Sequence, residues 1–205
     1  MAFTGFRQLS DVLKKYQIRY EEQDFPMPAQ ATSVPEVLRD DIRFTLNEVA
    51  YDISESAICE NLIYPVLKTA WRQHADILAI WSHQPLGEGE LSGVPDYVIS
   101  KKSELGKIVF EAPYVAVVEA KKDDFTAGWA QCGLEMHTMQ QLNATPDLPV
   151  HGIVSNGETW EIAMLHGNVL VKYRQIFQIH RLDELYTALL TVLGGYRKFF
   201  AAAEQ

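Results

Sequence analysis

The segment Tyr114-Val115-Ala116-Val117-Val118-Glu119-Ala120-Lys121 constrains this chain more than any other. Its first five residues are apolar at both parities, so a strand here has no solvent face and must be covered on both sides. Such a strand sits at the centre of a sheet flanked by helices. It then ends on Glu-x-Lys. Side chains alternate along a strand, so Glu119 and Lys121 point to one side and Ala120 to the other. A charge at the end of a buried strand costs on the order of several kcal/mol unless it is paired or bound to a metal.

The rest of the chain supplies the flanking elements. Leu9, Val12, Leu13 and Tyr16 have helical spacing over residues 7–16. Residues 23–31 hold Pro26 and Pro28 and read as an extended arm. Ser33 and Glu36 have capping-box spacing, and Val37, Leu38, Ile42, Leu46 and Val49 follow as a helical stripe. Residues 1–50 therefore read as an N-terminal helical extension, and 51–205 as the main domain. A second helix starts near Ser54 and runs to about His74, with a kink expected at Pro65. Strands are expected over 77–81, 97–99, 107–110, 150–154, 160–165 and 169–179, and helices over 124–143 and 183–202. Asn156-Gly157 predicts a type I′ hairpin turn, whose two central positions both need positive φ. This order is that of an α/β fold with a mixed sheet.

Composition narrows the class. The 205 residues fit one domain, possessing two cysteines and therefore no disulfide scaffold. No apolar run approaches the roughly 18–20 residues of a membrane span. The first residues lack a basic segment followed by an apolar one, so a cytoplasmic protein with no membrane partner is expected. Acidic residues outnumber basic ones by 27 to 18, giving a net charge of −9. That argues against broad, non-specific coating of nucleic acid, which needs clustered Lys and Arg. Lys101, Lys102, Lys107, Lys121 and Lys122 cluster in sequence and form the candidate phosphate-facing patch, with a hairpin carrying a solvated lysine turn as the plainer account.

Gly93-Val94-Pro95-Asp96 places a second carboxylate where a loop enters a strand. If that strand neighbours the central one, Asp96, Glu119 and Lys121 converge. Two carboxylates make a hard oxygen site suited to Mg²⁺ or Mn²⁺. Such a cation polarises a phosphoryl oxygen and lowers the pKa of a bound water, and a lysine stabilises the developing charge. The plain alternatives are a strand-entry aspartate and a strand-end ion pair. The six histidines show no metal spacing, and no Gly-x-Ser-x-Gly elbow is present.

Pro95-Asp96 followed by Glu119-Ala120-Lys121 resembles the signature of the PD-(D/E)xK nuclease superfamily. Residues 54–67 resemble its first core helix, Gln131 sits where related enzymes carry an auxiliary glutamine, and residues 154–161 resemble a strand-turn-strand of type I restriction enzyme R subunits. The resemblance covers roughly residues 50–180. It implies a restriction-endonuclease-like mixed central sheet flanked by helices and a Mg²⁺-dependent deoxyribonuclease. It further implies Asp96, Glu119 and the Ala120 carbonyl as metal ligands, Lys121 as the catalytic lysine, and Gln131 as an auxiliary residue. A helix glutamate completes the metal set, either Glu60, on the face of Ile63 and Leu67, or Glu55, in a first turn where the helix dipole alone would also favour it. Related R subunits carry a tyrosine four residues after the glutamine, where this chain has Glu135. No Walker-type phosphate loop is present, so an ATP-driven motor or a specificity partner would be a separate chain. DNA is the implied substrate and a homodimer a natural assembly for cutting both strands. A catalytically inactive binding or assembly module of the same fold is the alternative.

Overall fold

The apolar run Tyr114–Ala120 is buried along its whole length inside a seven-stranded mixed sheet. The structure, a computed structural model, describes residues 5–143, 145 and 147–203. In chain order the elements are α1 (Leu9–Tyr16), β1 (Arg19–Gln23), α2 (Glu36–Glu48), α3 (Glu55–Ile58), α4 (Tyr64–Trp71), β2 (Leu78–Ser82), β3 (Leu86–Glu88), β4 (Leu91–Gly93), β5 (Tyr97–Lys101), β6 (Tyr114–Ala120), α5 (Phe125–Asn143), β7 (Val150–Ser155), β8 (Thr159–His166), β9 (Val169–Gln178) and α6 (Leu182–Ala203). The sheet order is β1-β9-β8-β7-β6-β5-β2, and β3 and β4 form a separate hairpin. β6 runs parallel to β7 and antiparallel to β5. The parallel pair is joined through α5, the kind of crossover that parallel neighbours require.

Both faces of β6 are covered, as its sequence demands. Val118 packs in a core with Leu38 and Ile42 of α2, Val66 and Leu67 of α4, and Leu185 and Leu189 of α6. Val117 packs in the opposite core with Val12 of α1, Leu86 of β3, and Trp129, Cys132 and Met136 of α5. α5 lies against β6 and β7 and is covered in turn by α1 and the β3–β4 hairpin. Burial all round explains why its apolar residues form no single stripe.

Several sequence expectations are revised. The N-terminal extension is not solely helical: Arg19–Gln23 pairs in parallel with β9 and forms one edge of the sheet. The following arm crosses to the α2–α6 face, where Phe25 and Val34 are buried. The Ser33–Glu36 capping box does not form. α2 has Pro35 at its N-cap with no side-chain cap bond, and Asp183 of α6 accepts the Val34 N–H at 2.8 Å. Residues 107–110 form no strand, and Ile108 is 85% exposed. β5 already has β2 and β6 on its two edges, so no place beside β5 is open to that segment. At Asn156-Gly157 only Gly157 has positive φ, +86°. The Asn156 side chain accepts the N–H groups of Glu158 and Thr159 instead, which makes an Asx-type turn and not a type I′ one. The helix expected over 54–74 is not regular: a π-helical turn, Cys59–Ile63, interrupts it immediately before Tyr64-Pro65, where the proline ring removes a backbone donor. Among the described residues no helix is long and apolar enough to cross a membrane.

Candidate active site

The antiparallel register sets Tyr97 of β5 opposite Val118 of β6, so one step further brings Asp96 level with Glu119. The Ala120 backbone N–H donates to Asp96 Oδ2 at 2.8 Å and locks that alignment. Asp96 Oδ1 faces His83 Nδ1 at 3.7 Å. Beyond β6 the Lys121 N–H donates to the Ser155 carbonyl at 2.9 Å, which continues the pairing with β7. Lys121 therefore keeps strand geometry, and its Nζ lies 2.5 Å from Glu119 Oε1. Glu55, at the start of α3, approaches from the other helical layer. Its Oε2 is 3.8 Å from Lys121 Nζ, and its Oε1 accepts the Lys122 N–H at 3.3 Å. Four charged side chains from three elements thus meet at one end of β6.

Glu60 is not among them. It is exposed, and it lies within the π-helical turn Cys59–Ile63. In such a turn residues three apart no longer share a face, so Glu60 departs from the buried side of Ile63 and Leu67. Gln131 donates from Nε2 to Glu135 Oε1 at 3.2 Å and is engaged there. Three lysines of the sequence cluster also lie elsewhere. Lys101 ends β5 and Lys102 and Lys107 follow it, whereas Asp96 precedes that strand. Five strand residues separate the two ends by roughly 16 Å at about 3.3 Å per residue. Only Lys121 and Lys122 remain at the site.

The electrostatics reflect burial of like charges. Glu119 is 2% exposed. Burial, then the neighbouring Asp96 charge, push its carboxyl up to about 8, against the opposing pull of Lys121. Asp96 is also raised, chiefly by burial, with the Ala120 N–H and Lys121 working the other way. For Lys121, burial favours the neutral amine, but Glu119, Glu55 and Asp96 together outweigh it and hold the ammonium. Glu135, fully buried in α5, is pushed well above the ordinary range by burial and by Glu119. It is a further buried acid beside the site, and burial favours its uncharged form.

The free acceptor atoms decide what the site can hold. Glu119 Oε2 is buried and has no hydrogen-bond partner. Asp96 Oδ1 has no hydrogen-bond donor among the described residues. No group of three or more His, Cys, Asp or Glu side chains among the described residues is arranged to hold a metal ion. Two hard carboxylate oxygens nonetheless fit Mg²⁺, which keeps several waters and is commonly held by one or two carboxylates. A comparison with protein-family models finds no match for this chain, and a comparison with curated proteins finds none either.

Proposed function

We propose that this protein is a metal-dependent phosphodiesterase acting on DNA, with a restriction-endonuclease-like fold. The observation that carries the reading is the unpartnered buried oxygen of Glu119 beside Asp96 and Lys121 at the end of a central strand. Asp96 and Glu119 would hold Mg²⁺ or Mn²⁺ through Oδ1 and Oε2. Such a cation, when bound, supplies Lewis-acid polarisation and a lower pKa for water. The chain supplies the rest. The Ala120 N–H fixes the Asp96 carboxylate, and the Glu119 proton must leave before that side chain can serve as an anionic ligand. Lys121 keeps its ammonium within reach of any anion seated there and stabilises negative charge developing on phosphoryl oxygens. Glu55 tethers Lys121 and the Lys122 backbone from the helical side.

The net charge of −9 and the single pair of lysines at the site leave little cationic surface for duplex DNA. A separate motor or specificity partner would supply that affinity. Purified protein with Mg²⁺ or Mn²⁺ is expected to nick or cut plasmid, whereas Lys121→Ala and Asp96→Ala do not. Equal inertness of all three on supercoiled, linear and single-stranded DNA would sink the catalytic reading. The 2.5 Å Lys121–Glu119 contact favours a second reading, in which the pair is structural and the fold serves as a binding or assembly module. That reading expects no divalent-cation binding.

A further inference from the structure

We propose that the groove between α2 and α4 is the interface of a two-fold homodimer. This groove has a volume of about 740 Å³ and lies outside the carboxylate site. α2 buries Leu38, Ile42 and Thr45, yet presents a second stripe outward. Val37, Asp41 and Phe44 follow at helical spacing, with Val37 82% and Phe44 60% exposed. Together with Pro35, Tyr64 and Pro65, Val37 and Phe44 make a contiguous apolar lining, and it is such a patch, not a lone exposed side chain, that marks an interaction surface.

The charges choose the occupant. The α2 wall carries Asp41 and Asp40, the latter already paired with Arg43, and the opposite wall carries Lys68 of α4 and Arg72 just beyond it. Asp41 and Arg72 have no ion-pair partner among the described residues. A partner of one charge sign would be repelled by one wall. A partner with the same split, turned by a two-fold rotation, meets acid with base at both walls. A second copy of this chain has that split by construction, and isologous pairing repeats each contact twice. Phe44 of each copy then enters the groove of the other. Tyr64, on the groove wall, stacks on Tyr97 with ring centroids 5.7 Å apart, so the interface adjoins the strand that follows Asp96. The proposal is independent of any catalytic role.

Sedimentation velocity on the full chain, from low to high micromolar concentration, tests it. The wild type is expected to reach twice the mass of the chain. Asp40→Lys/Asp41→Lys and Lys68→Glu/Arg72→Glu should each be monomeric, with dissociation constants weakened by about tenfold or more. An equimolar mixture of the two should dimerise again, because each wall regains an opposite charge. Phe44→Glu should also be monomeric while keeping the wild-type circular dichroism spectrum, since the position is exposed on the single chain. A wild type that stays monomeric throughout overturns the proposal. So does a dimer that survives both charge swaps or Phe44→Glu, or a mixture of folded swap variants that stays monomeric.

Discussion

Asp96 accepts the backbone N–H of Ala120 at 2.8 Å, so a loop residue before β5 is fastened to the last residue of β6. That bond, more than strand pairing alone, fixes the distance between the Asp96 and Glu119 carboxylates. It also separates the positional role of Asp96 from its charge. Asp96→Asn keeps an acceptor for Ala120 and removes a buried charge that already resists ionisation. Thermal melting of Asp96→Asn is expected to match or exceed that of the wild type. Its Mg²⁺-dependent cleavage rate is expected to fall by about 10²–10³-fold, the scale of losing one charge-stabilising group. Loss of stability together with activity would assign Asp96 a structural role.

The buried carboxyls predict the direction of pH dependence. Glu119 holds its proton up to about 8 in the folded protein and releases it near 4.5 when solvated. Between those values the folded state binds more protons than the unfolded one, so stability falls as pH rises. Buried His151 works oppositely, with its pKa lowered from 6.5 to about 4, so its effect is complete above 6.5. In metal-free buffer the melting temperature should therefore decline between 6.5 and about 8. Glu119→Gln should make that decline shallower, with Glu135, raised by burial in the same direction, accounting for what remains. A wild-type melting temperature that rises across this interval would contradict the burial of Glu119.

Gly128 is where the first turn of α5 passes the site lysine. A Cβ there would lie 2.8 Å from both Lys121 Cγ and Val154 Cγ1. Alanine gains helix propensity worth about 1 kcal/mol, but overpacking costs about 1–3 kcal/mol. Gly128→Ala is expected to destabilise by up to about 2 kcal/mol in denaturant unfolding and to lower the cleavage rate more than that loss explains, because the Lys121 stem must move.

The two helix glutamates give a paired comparison. Glu55 touches Lys121 and the Lys122 backbone, whereas Glu60 is exposed within the π-helical turn. Glu55→Gln is expected to slow Mg²⁺-dependent cleavage by about tenfold, and Glu60→Gln to leave it within about twofold. The reverse ranking in parallel rate measurements would return Glu60 to the site.

The centre of the fold was legible in the sequence because β6 is apolar at both parities and ends on charge. Its neighbours were legible for the same reason. β1 was not: all five of its residues are exposed, and an edge strand of Arg, Tyr, Glu and Gln has no alternation to read. The convergence of Asp96, Glu119 and Lys121 was conditional on β5 lying beside β6, which the pairing supplies, and the choice between Glu55 and Glu60 turned on a π-helical turn that leaves no mark in residue spacing. Chain proximity misled for Lys101, Lys102 and Lys107, because β5 runs away from the site and carries them to its far end. Glu135 was not legible, because Gln131, Glu135 and Thr138 follow one another at helical spacing and read as a polar face, of which the fold nonetheless buries Glu135 and Thr138.

The most direct test of the site is a calorimetric titration of the full chain with Mn²⁺ at a pH of about 8, where Glu119 is about half ionised. Asp96 and Glu119 predict one Mn²⁺ bound per chain, a proton released on binding, and loss of that binding in Asp96→Asn while its fold is retained. No heat and no thermal shift in the wild type, or binding unchanged in Asp96→Asn, would contradict a cation site at the end of β6.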